Sequence, residues 1–279
     1  MPELPEVETV RRQIAATLTG ARIQHASILD PRLVRPFAPD LVAAEIEGER
    51  VTTVDRRGKY LIVRFESGLA LLIHLRMTGS FRVGPADAVA DDEPHRRAVL
   101  KLDNGSDVAY RDVRRFGTWE LFEPTELNAY LEARLGPEPL GSFSSRDLAK
   151  RLAARRTSLK AALLDQRTVA GLGNIYVDEA LWHAQLHPLR PAGSLETDET
   201  ERLHRFMRKV LRLGIERQGA SLRDYSTPSG EPGGMQHEFH AYGRGGDPCD
   251  RCGTPIAKTR VAGRGTWYCP RCQVDSTQP

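Results

Sequence analysis

With 279 residues, 40% of them hydrophobic, the chain holds enough apolar material for two cored domains, and no apolar run of about 18 residues or more is present to span a membrane. No charged-then-apolar leader precedes the first motif, so a soluble, unsecreted protein is expected. The formal net charge is only +3, yet residues 1–140 carry 19 basic and 22 acidic side chains against 21 and 15 in residues 141–279, which points the second half toward a polyanion.

The chain opens Met1-Pro2-Glu3-Leu4-Pro5-Glu6-Val7-Glu8-Thr9. Methionine is normally clipped before a small residue, so the mature chain is expected to begin at Pro2. A terminal proline is a secondary amine, and an α-amino group titrates near ~8, so part of it is neutral and nucleophilic at physiological pH. Attack on a sugar C1′ gives an iminium ion that has no N–H proton to shed and stays a strong electron sink, with Glu3 beside it to shuttle a proton and Glu6 close by. The same residues also fit a plain helix start, with Pro5 in the first turn and early glutamates facing the helix dipole. Val7, Val10, Ile14 and Leu18 then follow helical spacing, and Thr19-Gly20 stops the helix.

From about 22 to 122 the pattern turns to strands: Val51–Val54, Tyr60–Phe65 and Leu69–Leu75, with a Ser67-Gly68 turn, then Ala98–Leu102 joined to Val108–Tyr110 through Asn104-Gly105. Short strands between turns predict a β-sandwich. Gly84–Pro94 is acidic and Pro-containing, a surface loop by composition. Three motifs lie on this framework. Lys59, in Arg56-Arg57-Gly58-Lys59-Tyr60, is a phosphate contact, a proton donor or a solvated basic turn. Met77, in His74-Leu75-Arg76-Met77-Thr78-Gly79, is a core residue or a wedge. Arg114-Arg115-Phe116-Gly117 either grips phosphate while the ring enters a base stack or is a basic strand end with a core Phe.

Leu135-Gly136-Pro137-Glu138-Pro139-Leu140-Gly141 marks a boundary, after which residues 145–217 are mainly helical. Leu148, Leu152, Leu159, Leu163 and Leu164 form one apolar series; Leu203, Phe206, Val210 and Leu213 form another. Between them, Gly171-Leu172-Gly173-Asn174 suits either a phosphate at a helix start or a ligand-free corner. Residues 226–234 are rich enough in Gly and Pro to predict a mobile loop. The chain closes with Cys249-x2-Cys252-x16-Cys269-x2-Cys272, the spacing of a closed four-thiolate zinc site; two disulfides are the alternative, with nothing to suggest an oxidising compartment. Arg264, between the knuckles, is an exposed charge or an arginine finger aimed by the hairpin.

Taken together and in order, Pro-Glu-Leu-Pro-Glu-Val-Glu-Thr, Arg-Arg-Gly-Lys-Tyr, His-Leu-x-Met-Thr-Gly, Arg-Arg-Phe-Gly, Gly-Leu-Gly-Asn-Ile-Tyr, Tyr-Gly-Arg and the four cysteines closely resemble the bacterial formamidopyrimidine-DNA glycosylases, a branch of the helix–two-turn–helix glycosylases. The resemblance implies an α+β, two-domain fold: an N-terminal β-sandwich with a leading catalytic helix (1–136), a helical helix–two-turn–helix domain (137–225), and a lesion-capping loop with a zinc-finger hairpin (226–279, the finger at about 240–274). It implies a bifunctional glycosylase and abasic-site lyase of base excision repair, acting on 8-oxoguanine opposite cytosine and on formamidopyrimidines.

By the same resemblance, Pro2 is the Schiff-base nucleophile, Glu3 its proton donor and Glu6 a helper, while Lys59 serves β-elimination and Arg264 serves δ-elimination. Met77, Arg114 and Phe116 fill the void left by the flipped nucleotide. His95, Arg156, Lys160, Asn174 and Tyr242 match backbone contacts, and Cys249, Cys252, Cys269 and Cys272 hold one structural Zn2+. The implied partner is damaged double-stranded DNA, with no membrane, a monomer by default, and a cytoplasmic, nucleoid-associated location. Two departures from the family pattern stand out: Met235, where an aromatic is common, bears on base preference, and Arg76, where glycine is usual, adds a charge near the DNA face. The rival readings are an endonuclease VIII-like enzyme for oxidised pyrimidines, which the Pro-Glu-Leu-Pro-Glu start argues against, and a zinc-finger DNA-binding protein without chemistry.

Overall fold

The computed structural model describes residues 1–86 and 94–274. They fall into two compact units, one of residues up to 133 with 217–234, the other of residues 134–216 with 235–274. Residues 217–225, placed by the resemblance in the helical domain, and the following 226–234 thus group with the first unit.

In the first unit, helix α1 (Leu4–Leu18) leads into β1 (Ile23–Ile28), α2 (Pro39–Ile46), β2 (Val51–Arg57), β3 (Tyr60–Phe65), β4 (Ala70–His74), β5 (Gly79–Pro85), β6 (Arg96–Leu102), β7 (Ser106–Asp112), β8 (Thr118–Phe122) and α3 (Glu126–Glu132). The strands make two four-stranded antiparallel sheets, β1-β6-β7-β5 and β2-β3-β4-β8. One core joins them. It collects Val10, Ile14 and Leu18 from α1, Ile23, Leu100 and Val108 from one sheet, and Leu61, Val63, Leu71 and Ile73 from the other. Each such side chain contributes roughly 1.5–3 kcal/mol on burial. Phe81 and Tyr110 from the first sheet meet Trp119 from the second, with ring centroids 5.2–6.4 Å apart. β4 is buried along its whole length, which accounts for its unbroken apolar run.

The loop expected at 84–94 starts later than its composition suggests: Gly84 and Pro85 still pair with Asp107 and Ser106, and residues 87–93 lie outside the described residues. Helices α2 and α3 escape sequence reading because they are 8 and 7 residues long and bury two residues each, too few to set a period.

In the second unit, α4 (Ser145–Ala153), α5 (Leu159–Leu164), α6 (Asn174–Ala184) and α7 (Thr197–Glu216) precede a hairpin of β9 (Ala257–Val261) and β10 (Arg264–Tyr268). α4 starts on a Ser144–Asp147 capping box. Leu148, Leu152, Leu159 and Leu163 are buried as expected, while Leu164 is half-buried. α7 approaches α6 at Gly214, where a Cβ would come within 2.5 Å of the Tyr176 ring. Nine of the eleven residues of α6 are buried, including Asp178 and Glu179. Its two acids therefore face inward, where they organise the site described next.

Candidate active site and nucleic-acid interface

Glu3 caps α1, and Pro2, Glu3 and Glu6 are all buried. The plain helix start is present, and it is built from the same carboxylates, Glu3 and Glu6, that the resemblance assigns to the chemistry. Glu6 accepts the Glu3 N–H at Oε2 (2.8 Å) and the Ala220 N–H at Oε1 (2.8 Å). One side chain thus fixes the backbone beside Pro2 and the 217–234 segment. Gly219, at φ +83, allows this approach, since a Cβ there would lie 2.7 Å from Glu6 Cγ.

The segment itself is irregular, as its composition predicts, but it is pinned along its length rather than loose. Arg82 donates to Thr227 O (2.9 Å) and Ser226 Oγ (3.0 Å), Ser229 N donates to Gln13 Oε1 (3.1 Å), and Gly234 N donates to Arg217 O (2.7 Å). Met235 is buried in a short 3-10 turn, so it serves as a core side chain.

Lys59 sits on the two-residue turn between β2 and β3 with 5% of its surface exposed. A relay of contacts fixes that turn to α1. Glu8 on α1 accepts from Arg56 Nε (3.2 Å), and Arg56 donates onward to Gly58 O (2.9 Å). Gly58, at φ +58, supplies the left-handed residue the turn needs.

Met77 and Phe116 line one open cavity of about 620 Å3 together with Met1, Arg32, Arg35, Arg76 and Arg115. Phe116 is 52% exposed, an unusual setting for a phenyl ring unless something covers it. The Arg114 guanidinium lies 4.8 Å over that ring. Arg115, at φ +58, turns the other way and makes a two-pronged ion pair with buried Asp30 at 2.6 and 2.7 Å. The neighbouring arginines therefore divide the work, one anchoring the loop and one left exposed. Asp112 is buried at the base of the same loop and accepts from Thr78 Oγ1, Arg114 N (3.2 Å) and Gly117 N (2.7 Å). Arg76 stands at φ +53, a conformation that favours glycine, which is why a glycine suits this position. His74 Nδ1 accepts the Arg76 N–H (2.9 Å); burial, then the charges of Arg76 and Lys59, push its pKa down to about 3, so the ring stays neutral and able to accept. His95 is exposed at φ +68.

In the second unit, Arg156 and Arg264 are exposed, and neither guanidinium has a hydrogen-bond or ion-pair partner among the described residues. Arg264 rises from the Ala262-Gly263 turn of the β9–β10 hairpin, where both turn residues have positive φ (49° and 74°). The next residue is held tightly. Gly265 O accepts from Asn174 Nδ2 (2.9 Å) and Lys160 Nζ (3.0 Å). Lys160 also forms an ion pair with Asp178 (2.6 Å), both side chains being 0% exposed, and Asp178 accepts from Trp267 N (3.1 Å). The ammonium of Lys160, expected at the DNA backbone by resemblance, is committed inside the protein to these two partners. Tyr242 packs its ring on Trp267 at 4.6 Å, and its N–H, with those of His240 and Ala241, donates to buried Glu179 at 2.8–3.0 Å. Sequence reading missed Asp30, Asp112, Asp178 and Glu179, each of which has at least one partner 18 or more residues away in the chain.

The four cysteines are unbridged, and their sulfurs all lie within 4.8 Å of one another, Cys252 and Cys269 at 3.5 Å. Zn–S bonds of about 2.3 Å in a tetrahedron place sulfurs ~3.8 Å apart, so the set fits one closed structural zinc. Gly253, at φ +72, donates to Cys249 O (2.8 Å) and closes the first knuckle. Trp182 of α6 packs in the same cluster, between the Arg251 guanidinium at 3.7 Å and the His240 ring at 4.4 Å.

Three family models match: the formamidopyrimidine-DNA glycosylase N-terminal domain over residues 1–119, the formamidopyrimidine-DNA glycosylase H2TH domain over 135–226, and a zinc finger found in FPG and IleRS over 246–274. The formamidopyrimidine-DNA glycosylases of Geobacillus kaustophilus and Symbiobacterium thermophilum are 47% and 48% identical over 276 residues, covering 98% of this chain and 100% and 89% of those proteins. A Lactococcus lactis FPG mutant in complex with Fapy-dG containing DNA superposes with a TM-score of 0.91 at 39% identity, covering 98% of this chain and 100% of that one. The Lactococcus lactis Fpg bound to DNA containing an abasic site superposes with a TM-score of 0.90, also at 39% identity, covering 98% and 99%.

Proposed function

This chain belongs to the formamidopyrimidine-DNA glycosylase family, and we propose that it removes oxidised purines, 8-oxoguanine opposite cytosine and formamidopyrimidines, through a covalent Pro2 intermediate and then cleaves the strand. It is a base-excision-repair DNA glycosylase with a structural zinc finger, and its partner is DNA. The observation that carries the covalent reading is the buried Pro2-Glu3 start, held by the two hydrogen bonds that Glu6 accepts. A nucleophile needs this fixed approach more than a surface helix start does.

In the proposed reaction the basic and backbone contacts supply affinity without sequence preference. Met77, Arg114 and Phe116 enter the stack as the damaged nucleotide leaves it, offsetting an unstacking cost of a few kcal/mol. The Pro2 nitrogen lone pair forms a bond to C1′ as the bond to the base breaks, and the base departs with a proton. C1′–O4′ then opens, Glu3 returning a proton to O4′, to leave an iminium. Loss of a C2′ proton expels the 3′ phosphate by β-elimination, the step given to Lys59. A second elimination, given to Arg264, expels the 5′ phosphate. His95, Arg156, Asn174 and Tyr242 are proposed backbone contacts. Glu6 positions the N-terminus and the 217–234 segment. No helix among the described residues is long and apolar enough to cross a membrane, and we place the enzyme as a monomer in the cytoplasm, on the nucleoid.

Borohydride trapping on a duplex with 8-oxoguanine opposite cytosine, followed by mass mapping, tests the whole reading. An adduct on Pro2 is expected. Robust turnover by protein that retains Met1 or an N-terminal tag refutes it, and tight lesion binding without any adduct from a verified Pro2 terminus points to a binding protein.

A further inference from the structure

The four first-unit residues that the reading assigns to DNA, Met77, His95, Arg114 and Phe116, are linked through backbone bonds or chain neighbours to one residue, Asp112, whose buried carboxylate has no assigned role. Asp112, 1% exposed, ends β7. Its Oδ1 accepts from the Thr78 hydroxyl and from Arg114 N (3.2 Å), and its Oδ2 accepts from Gly117 N (2.7 Å). Thr78 Oγ1 in turn accepts the Arg114 N–H (3.0 Å). Asp112 N donates to His95 O (3.0 Å). Thr78 follows Met77, and Gly117 follows Phe116, so each residue of the set is bonded to Asp112 or adjoins one that is. Among the described residues no cation pairs with the carboxylate, whose hydrogen bonds come from neutral donors on two segments, Thr78 on one and Arg114 and Gly117 on the other, 36 residues apart at their closest.

We infer that Asp112, with Thr78, is the positioning clasp that sets Met77 against Arg114 and Phe116, so that the three enter the stack as one rigid wedge. The inference rests on the wedge reading above. A carboxylate suits the post because it accepts several backbone N–H bonds at once, and its burial makes each of them stronger than it is in water. An amide in its place must turn an NH2 toward one of these donors. Gly117 belongs to the same device: a Cβ there would lie 1.9 Å from the Tyr110 hydroxyl and 3.1 Å from Asp112 Oδ2, so the loop meets the clasp only through glycine. Arg115 secures the outer side of the loop through Asp30.

The test compares Thr78→Val, Thr78→Ser and Asp112→Asn with the parent protein. Borohydride trapping is run on an abasic site in duplex and in single-stranded DNA, and a 2-aminopurine beside the site reports side-chain insertion. Single-strand trapping needs the nucleophile but no wedge, so the duplex-to-single-strand ratio is independent of how much protein is folded. Thr78→Val and Asp112→Asn are expected to lower the ratio about tenfold, the loss of one buried hydrogen bond to a charged acceptor, and to blunt the 2-aminopurine signal. Thr78→Ser, which keeps the hydroxyl, is expected to restore both. A ratio unchanged in Thr78→Val and Asp112→Asn overturns the inference, as does a Thr78→Ser variant no better than Thr78→Val. Arg114→Ala and Phe116→Ala separate the two claims. If these leave the ratio unchanged, the wedge reading fails; if they lower it while Thr78→Val and Asp112→Asn do not, the clasp alone fails.

Discussion

Replacing Lys160 with methionine removes the cation bonded to Asp178 while keeping most of the buried volume. Both side chains are fully buried, the ammonium is 2.6 Å from Asp178 Oδ1, and the same ammonium holds Gly265 O at 3.0 Å. Burial raises the Asp178 carboxyl to about 7 even though Lys160 pulls it down, so without Lys160 it rises further. Leaving one partner of a buried pair uncompensated costs about 3–5 kcal/mol, which for a unit of this size lowers Tm by roughly 10 °C. The sign of the pH dependence follows. A carboxyl whose folded pKa is raised contributes stability that is full below the unfolded value of ~3.9 and is lost as pH rises through the folded value. In the parent that loss falls between about 4 and 7; in Lys160→Met it extends to higher pH. The variant's deficit is therefore largest at alkaline pH and shrinks toward pH 5. Thermal melts of zinc-loaded protein at pH 5 and 8 measure it. A deficit under about 1 kcal/mol at pH 8, or one equal at both pH values, refutes the argument; it is this gap between single and paired removal that a Lys160→Met, Asp178→Leu double variant is expected to narrow.

Three further outcomes are expected. Arg76→Gly relieves a left-handed backbone at φ +53 and raises stability by about 0.5–1 kcal/mol net of glycine's entropy, read as a higher Tm; a lower Tm counts against strain at this turn. Gly117→Ala drives a methyl into the Tyr110 hydroxyl and costs roughly 1–3 kcal/mol or more, whereas Tyr110→Phe, which deletes a buried hydroxyl with no hydrogen-bond partner among the described residues, is neutral or stabilising and rescues Gly117→Ala in a double-mutant cycle. Chelating the zinc disorders residues 240–274, changes the fluorescence of Trp182 and weakens lesion-duplex binding; metal-stripped protein that binds as tightly as before contradicts it.

The family is legible in the sequence because its motifs are local. A terminal proline beside glutamates, two Cys-x-x-Cys knuckles and an exposed Arg-Arg-Phe-Gly each carry their meaning within a few residues. The helix 4–18 and the strands at 51–75 were readable for the same reason, their apolar spacing being visible in a short window. The burial of Lys160 is not legible in the sequence, because its partner, Asp178, lies on another helix. The hydrogen bonds of the 226–234 loop are not legible for a related reason, since Gln13 and Arg82, which make them, lie more than a hundred residues upstream.

These misses share one physical cause. Groups proposed to act on DNA have to remain exposed, as Arg156, Arg264 and Phe116 are, so their own side chains add little to hold them in place. The geometry must come from underneath. Here it comes from buried carboxylates that accept backbone N–H groups of the segments bearing them: Glu6 for the N-terminus, Asp112 for the 114–117 loop, Asp178 for the hairpin beyond Arg264, and Glu179 for the turn at Tyr242. A carboxylate does this better than an apolar contact because its bonds are directional, and two oxygens can tie two chain segments to one point. Burying it is costly, which is why each is saturated by donors. An acid that does this work looks in sequence like any other acid, and only the fold reveals which of the 37 acidic residues point inward.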